Sequence, residues 1–158
     1  MAWRYNPFTG TLDRVGGSTT STPAESTTQV VSTLKNNNGG SIAGVTPVVV
    51  DNLGGIDIID VASFSNKTLG VTTATVGSGS NGEIILSGII ENVSIGFNKG
   101  DQLYVSKSGG LTDTIPSVGV NGFVAGDALI IVGEVTENGT TPANKDLLVN
   151  IRFIAELS

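Results

Sequence analysis

Residues 147–154 read Leu-Leu-Val-Asn-Ile-Arg-Phe-Ile, the clearest secondary-structure signal in this chain of 158 residues. Apolar residues occupy every second position from Leu147 to Phe153, and the positions between them mix apolar and polar side chains. Because successive side chains of a strand point to opposite faces, this alternation predicts a β-strand with one buried face.

Shorter runs of the same kind precede this strand. From about residue 46, segments rich in Val, Ile and Thr are divided by turn signals about every eight to twelve residues. Strands are expected at residues 45–50, 56–64, 68–76, 83–90, 92–97, 101–106, 128–136 and 146–155. Since this spacing leaves no room for crossover helices, we predict an all-β fold, an antiparallel β-sandwich or small barrel with an extended N-terminal arm.

The alternation also predicts which side chains face the core or a subunit interface. These are Leu103, Val105, Leu129, Ile131, Val149, Ile151 and Phe153. The strand at 128–136 is apolar on both faces, which favours burial beneath a second layer or another subunit.

An aromatic-rich arm is predicted over residues 1–15, which contain the only Trp of the chain. Asn6-Pro7 favours extended backbone and Thr9-Gly10 favours a turn, so the arm is a shaped peptide rather than a helix. Large apolar side chains dominate binding energies, and the arm could bind another subunit or fold back onto its own domain. The predicted subunit-binding residues are Trp3, Tyr5, Asn6, Pro7, Phe8 and Leu12.

Residues 16–44 form the predicted linker, rich in Gly, Ser, Thr and Asn. Within it, Val30, Val31 and Leu34 have a spacing compatible with one or two turns of helix. The β domain is therefore expected to span residues 45–158.

Charge limits the classes of partner. Charged residues make up only 14% of the chain, against about 25% in typical soluble domains, so neighbouring subunits are expected to cover part of the surface. The formal charge is −6 and the eight basic residues are scattered, which argues against a nucleic-acid partner. The sequence lacks an apolar run long enough to span a membrane and a signal-peptide pattern, so we expect synthesis in the cytoplasm without membrane contact.

Missing residue types limit the chemistry. Without His or Cys, the usual zinc sites and the Ser-His-Asp and Cys-His nucleophiles are excluded, and no cofactor, metal or enzymatic activity is expected. The remaining catalytic candidates are the carboxylates Asp51, Asp57, Asp60 and Glu83, but glycoside hydrolysis requires a pair about 5 to 10 Å apart in a cleft. Residues 77–82 have the spacing of a dinucleotide-binding loop, yet a strand pattern follows them, which favours a hairpin loop.

Two parts of the chain resemble virion proteins of tailed phages. Residues 3–13, Trp-Arg-Tyr-Asn-Pro-Phe-Thr-Gly-Thr-Leu-Asp, resemble an N-terminal peptide found on several such proteins. In the second half, four runs and the strand at 147–153 resemble phage capsid decoration proteins, also called head-fibre or cement proteins. The runs are 100–106 (Gly-Asp-Gln-Leu-Tyr-Val-Ser), 109–112 (Gly-Gly-Leu-Thr), 126–127 (Gly-Asp) and 132–136 (Val-Gly-Glu-Val-Thr).

The resemblance implies a non-enzymatic cement protein on the outer surface of a bacteriophage head, bound to the major capsid protein or other virion subunits. It also implies a homotrimer, since such proteins commonly sit at three-fold positions. Tail-fibre proteins share some of these runs, so a tail-fibre or tail adaptor protein anchored by its arm is the alternative. A carbohydrate-binding module is a distant third reading.

The first prediction concerns secondary structure. Far-UV circular dichroism of the purified protein should show a β-dominated spectrum, because the apolar pattern has period two through most of the chain. A helix content above about a third, the average of globular proteins, would contradict the all-β prediction.

Overall fold

The computed structural model describes residues 2–6, 11–15, 29–64, 69–136 and 145–158, and for the first two segments it describes the backbone alone. All regular secondary structure in these ranges is β-strand. The strands are Ala2–Asn6 (β1), Thr11–Val15 (β2), Val30–Lys35 (β3), Pro47–Val50 (β4), Ile56–Ile58 (β5), Leu69–Thr72 (β6), Asn81–Val93 (β7), Gln102–Val105 (β8), Leu111–Thr112 (β9), Ala128–Thr136 (β10) and Lys145–Glu156 (β11).

The strands form two sheets. β1 and β2 pair only with each other, as an antiparallel hairpin. The other nine strands form one antiparallel sheet in the order β5-β4-β6-β7-β11-β10-β8-β9, with β3 paired to β7, and this sheet curls into a half-barrel. The predicted all-β, antiparallel fold is therefore confirmed.

The thirteen-residue strand β7 organises this sheet. Ile85 pairs with both β3 and β6, and Ser87 pairs with both β3 and β11. Since a strand has only two edges, β3 lies along one edge of β7, while β6 and β11 follow one another along the other. β7 thus joins the half of the sheet that contains β4 and β5 to the half that contains β8 and β10.

Two apolar clusters lie on opposite faces of the sheet at β7. Ile84 packs in a small cluster with Ile42, Val48 and Ile56. Its neighbour Ile85 belongs to a larger cluster, because successive residues of a strand point to opposite faces. That larger cluster includes Val71, Leu103, Val105, Ile130, Val132, Leu147 and Val149. Burial on both faces explains why the apolar runs here are continuous rather than alternating.

The predicted helical turns at residues 29–35 are wrong, because Val30–Lys35 is strand β3. One or two helical turns are unstable alone, whereas β-branched residues suit a strand and the edge of β7 supplies backbone partners. The following segment, predicted as linker, also packs into the domain: Ile42 is fully buried, and the Asn36 amide donates to the Val76 carbonyl at 2.8 Å. The described domain therefore begins at β3 rather than at residue 45, and residues 16–28 lie outside the described ranges.

Several predicted strand boundaries differ from the structure. The strands expected at 83–90 and 92–97 are one strand, β7, which extends only to Val93. Asn92 has a φ of 56°, in the left-handed region, just before the strand ends. The strands expected at 56–64 and 68–76 shorten to β5 and β6.

The core prediction is correct for Leu103, Val105 and Val149, which are buried. Ile151 is half-buried and packs against the larger cluster, and Phe153, which is 40% exposed, stacks on Phe64. The core prediction is wrong for Leu129 and Ile131, which are only half-buried. The reason lies in two register shifts of β10 against β11, between Leu129 and Ile130 and between Ile131 and Gly133. These bulges direct Ile130 and Val132 inward instead.

The two-sided burial of β7 can be tested by mutation. Ile84→Ala and Ile85→Ala should each lower the free energy of unfolding by about 2–5 kcal/mol, since each removes a buried side chain from a different cluster. Ile115→Ala, at a side chain that is 63% exposed, is the matched control and should stay within about 0.5 kcal/mol. Denaturant titration measures all three, and a cost at only one of the two β7 positions would contradict burial on both faces.

Candidate functional site

The predicted arm residues lie mainly in the β1–β2 hairpin. Tyr5 pairs with Leu12 and Asn6 pairs with Thr11, while Trp3 pairs with Arg14 near the other end. Pro7 and Phe8 lie outside the described residues. An isolated two-stranded hairpin is marginally stable in water, so this element needs a further surface to pack against.

A second feature is the outer edge of β3, which the sequence reasoning missed. Among the described strands, β7 is the one that pairs with β3 along Val30–Lys35. The next residue, Asn36, forms a β-bridge to Ile56. Val30 and Val31 are 51% and 42% exposed. Their β-branched side chains favour a strand and could have indicated one here. The spacing of the apolar residues, which also fits a helical turn, led to the prediction of a helix instead.

A third feature is the loop at 114–126, which contains no charged residue. Ile115, Val118, Val120 and Val124 are exposed on it, whereas Phe123 is buried in the larger core cluster. Backbone hydrogen bonds, such as Phe123 N–H to the Val120 carbonyl at 3.0 Å, order the loop internally. It therefore presents apolar side chains on a preorganised backbone, which reduces the ordering cost of binding.

A partly buried ion pair fixes the end of this loop. The Asp127 side chain is 1% exposed, and both carboxylate oxygens accept hydrogen bonds from the Lys107 ammonium, at 2.6 and 2.7 Å. The Val124 N–H donates to the same carboxylate at 2.8 Å. The hydrogen bond from Lys107, followed by that from Val124, lowers the pKa of Asp127 from its ordinary value.

Three of the four carboxylates considered from the sequence meet in one place. Asp51, Asp57 and Asp60 line a surface cleft of about 290 Å³ together with Phe64, whereas Glu83 does not line it. Phe64 also stacks on Phe153, with ring centroids 5.6 Å apart.

These carboxylates accept hydrogen bonds from their own turns. Asp51 accepts the N–H groups of Leu53 and Gly55, each at 2.8 Å, and Asp60 accepts the Ser63 hydroxyl at 2.7 Å. The Ser63 hydroxyl, followed by the Ala62 N–H, lowers the pKa of Asp60. The lowered pKa keeps the Asp60 carboxyl ionised, which does not suit it to the role of general acid. Among the described residues, no group of three or more acidic side chains is arranged to hold a metal ion.

No family model, curated protein or solved structure matches the chain. Within the described ranges, no helix is long and apolar enough to cross a membrane.

The Lys107–Asp127 pair predicts a pH dependence of stability. Because the pKa of Asp127 is lowered in the folded state, its stabilising effect is complete above the ordinary value of 3.8 and disappears as the pH falls through the lower folded value. Asp127→Asn should therefore reduce the melting temperature at pH 7, and the difference from the unsubstituted protein should narrow below about pH 4.

Asp113→Asn, which changes an exposed carboxylate immediately before the loop at 114–126, is the control and should melt close to the unsubstituted protein at pH 7. Thermal melts between pH 7 and pH 3 measure both variants. A difference for Asp127→Asn that widened in acid would contradict the assigned direction.

Proposed function

We propose that the chain is a non-enzymatic structural protein of a virus particle, a decoration or cement protein that binds the outside of a phage head and stabilises it. The observation that carries the proposal is the N-terminal hairpin, which pairs with none of the nine strands of the main sheet and contains Trp3, Tyr5 and Leu12. An apolar element of this kind is suited to binding another subunit. The resemblance of residues 3–13 and of the second half to phage proteins supports the same function.

Burial of the large side chains of the hairpin contributes to anchoring. Each large side chain buried against a partner contributes roughly 1.5–3 kcal/mol before ordering costs are deducted. Three such side chains, Trp3, Tyr5 and Leu12, therefore supply roughly 4.5–9 kcal/mol before these costs, a weak contact by itself that linkage of several hairpins in one oligomer would reinforce.

The main domain supports a binding role over a catalytic one. Its exposed apolar loop at 114–126 is fixed by the Lys107–Asp127 pair and offers a second, preorganised contact surface. The carboxylates of the acidic cleft stabilise their own turns. A chain with only 14% charged residues also suits a surface that is partly covered in an assembly.

A tail-fibre or tail adaptor protein is the second candidate, because an N-terminal anchor joined to a β domain suits that role equally. Labelling the protein in purified particles and locating it on the head shell or the tail separates the two. A carbohydrate-binding module is third, and binding or cleavage of host polysaccharide by the purified protein would support it.

Deletion of residues 2–13 tests the anchor. Attachment to particles that lack the protein should fall steeply, because the hairpin supplies the contact, while the melting temperature of the main domain should change little. Co-sedimentation with particles and thermal melts measure the two effects.

Point variants sharpen this test. Trp3→Ala combined with Tyr5→Ala should reproduce the loss of attachment, and Thr11→Ala in the same hairpin is the matched control and should retain it. Undiminished occupancy by the truncated protein would contradict the anchor and favour binding through the β domain alone.

A further inference from the structure

The open edge of β3 presents unpaired backbone groups that can pair with another chain, and stable proteins usually cover or protect such edges. Residues 29–34 read Gln-Val-Val-Ser-Thr-Leu, with high β propensity, no charge, no proline and no glycine. An exposed strand of this kind is a template for pairing with a strand of another chain. Lys35, at the end of β3, is the only charged residue of the strand.

The β1–β2 hairpin of the chain could pair with the open edge of β3. β1 and β2 are five residues long, close to the six residues of β3, and neither pairs with the main sheet. A hairpin that adds to an existing sheet becomes part of a larger sheet, which removes the weakness of an isolated two-stranded ribbon. The same contact covers the open edge.

Charge favours this contact over a contact between two main domains. Arg4 and Arg14 outnumber Asp13 in residues 1–15, which gives this segment a formal charge of +1. Residues 29–158 contain six basic and twelve acidic residues, which gives them a formal charge of −6. Main domains therefore repel one another, while the hairpin is attracted to a main domain.

The connection is long enough to reach a neighbour. The 14 residues between Val15 and Val30 can span at most about 50 Å, whereas a domain of this size has a radius of gyration of about 14 Å. In the single chain, the described strands β1 and β2 pair only with each other. Among the described strands, β7 is the one that pairs with β3 along Val30–Lys35.

We infer that the hairpin of one copy adds to the open edge of β3 in a second copy of the chain, so that copies exchange their N-terminal hairpins. A contact donated in one direction is heterologous, and it closes into a ring when the rotation between copies allows. This is a route to the predicted trimer. The inference rests on the proposed role of the hairpin in binding another subunit and names that subunit as a second copy of the chain. Purified protein suffices to test it, so its failure leaves binding of the hairpin to other particle subunits, and the particle experiment, standing.

The absence of cysteine makes cross-linking a clean test. One protein carries Thr33→Cys on β3, and a second, differently tagged protein carries one cysteine in the hairpin, at Ala2, Arg4, Thr11 or Asp13 in turn. After mixing and mild oxidation, at least one hairpin position should form a disulfide with Cys at position 33. Since each protein has a single cysteine, such a bond joins two chains. Peptide mass spectrometry identifies it.

Ser117→Cys, at an exposed position of the 114–126 loop, replaces Thr33→Cys in the control mixture and should give at most a trace of the mixed disulfide. A chain with both Thr11→Cys and Thr33→Cys reports pairing within one copy. A disulfide found only inside that doubly substituted monomer, or equal yields with positions 33 and 117, would overturn the inference.

Blocking the edge gives an independent readout. Val31→Lys places a charge on the open edge at a side chain that is already exposed, and Val124→Lys is its matched control on the loop. By light scattering, the unsubstituted protein and Val124→Lys should have the mass of three chains, and Val31→Lys that of one. Far-UV circular dichroism should show that Val31→Lys keeps its β structure. An unsubstituted protein that stays monomeric at every concentration, or a Val31→Lys protein that stays folded and trimeric, would overturn the inference.

Discussion

β7 is buried on both faces and paired along both edges, and the rest of the main sheet depends on this double burial. Ile84 closes the smaller apolar cluster and Ile85 the larger one. The backbone of the same strand bonds to β3, β6 and β11. β7 forms one wall of each apolar cluster. Neither cluster is therefore complete without it, and neither half of the sheet has a complete core by itself.

Period-two patterns predicted the fold class and several core residues, because Leu103, Val105 and Val149 lie in regular stretches of strand where alternation holds. They failed at Leu129 and Ile131, since bulges in β10 shift the register by amounts that local sequence does not encode. They failed at β3 because its edge partner on β7 lies about fifty residues downstream. The arm residues were selected from sequence, but the open edge of β3 required the strand pairing to be known.

The surface divides into parts with different chemistry. Turns such as those at Asp51 and Asp60 use carboxylates to satisfy their own backbone donors, so much of the negative charge has a structural role. The loop at 114–126 excludes charge and is fixed at its end by Lys107 and Asp127. An acidic, rigid domain with one neutral apolar loop and a weakly basic hairpin has the distribution expected of a subunit that must contact neighbours in defined orientations.

The position of β11 has a consequence for the order of folding during synthesis. It is the last described strand in the chain, yet it lies between β7 and β10 in the sheet. At about 5–20 residues per second, β7 leaves the ribosome about 3–13 seconds before β11, and the strands β8 to β10 cannot join β7 until β11 emerges. During that interval the nascent chain carries unpaired strand edges, which are prone to aggregation.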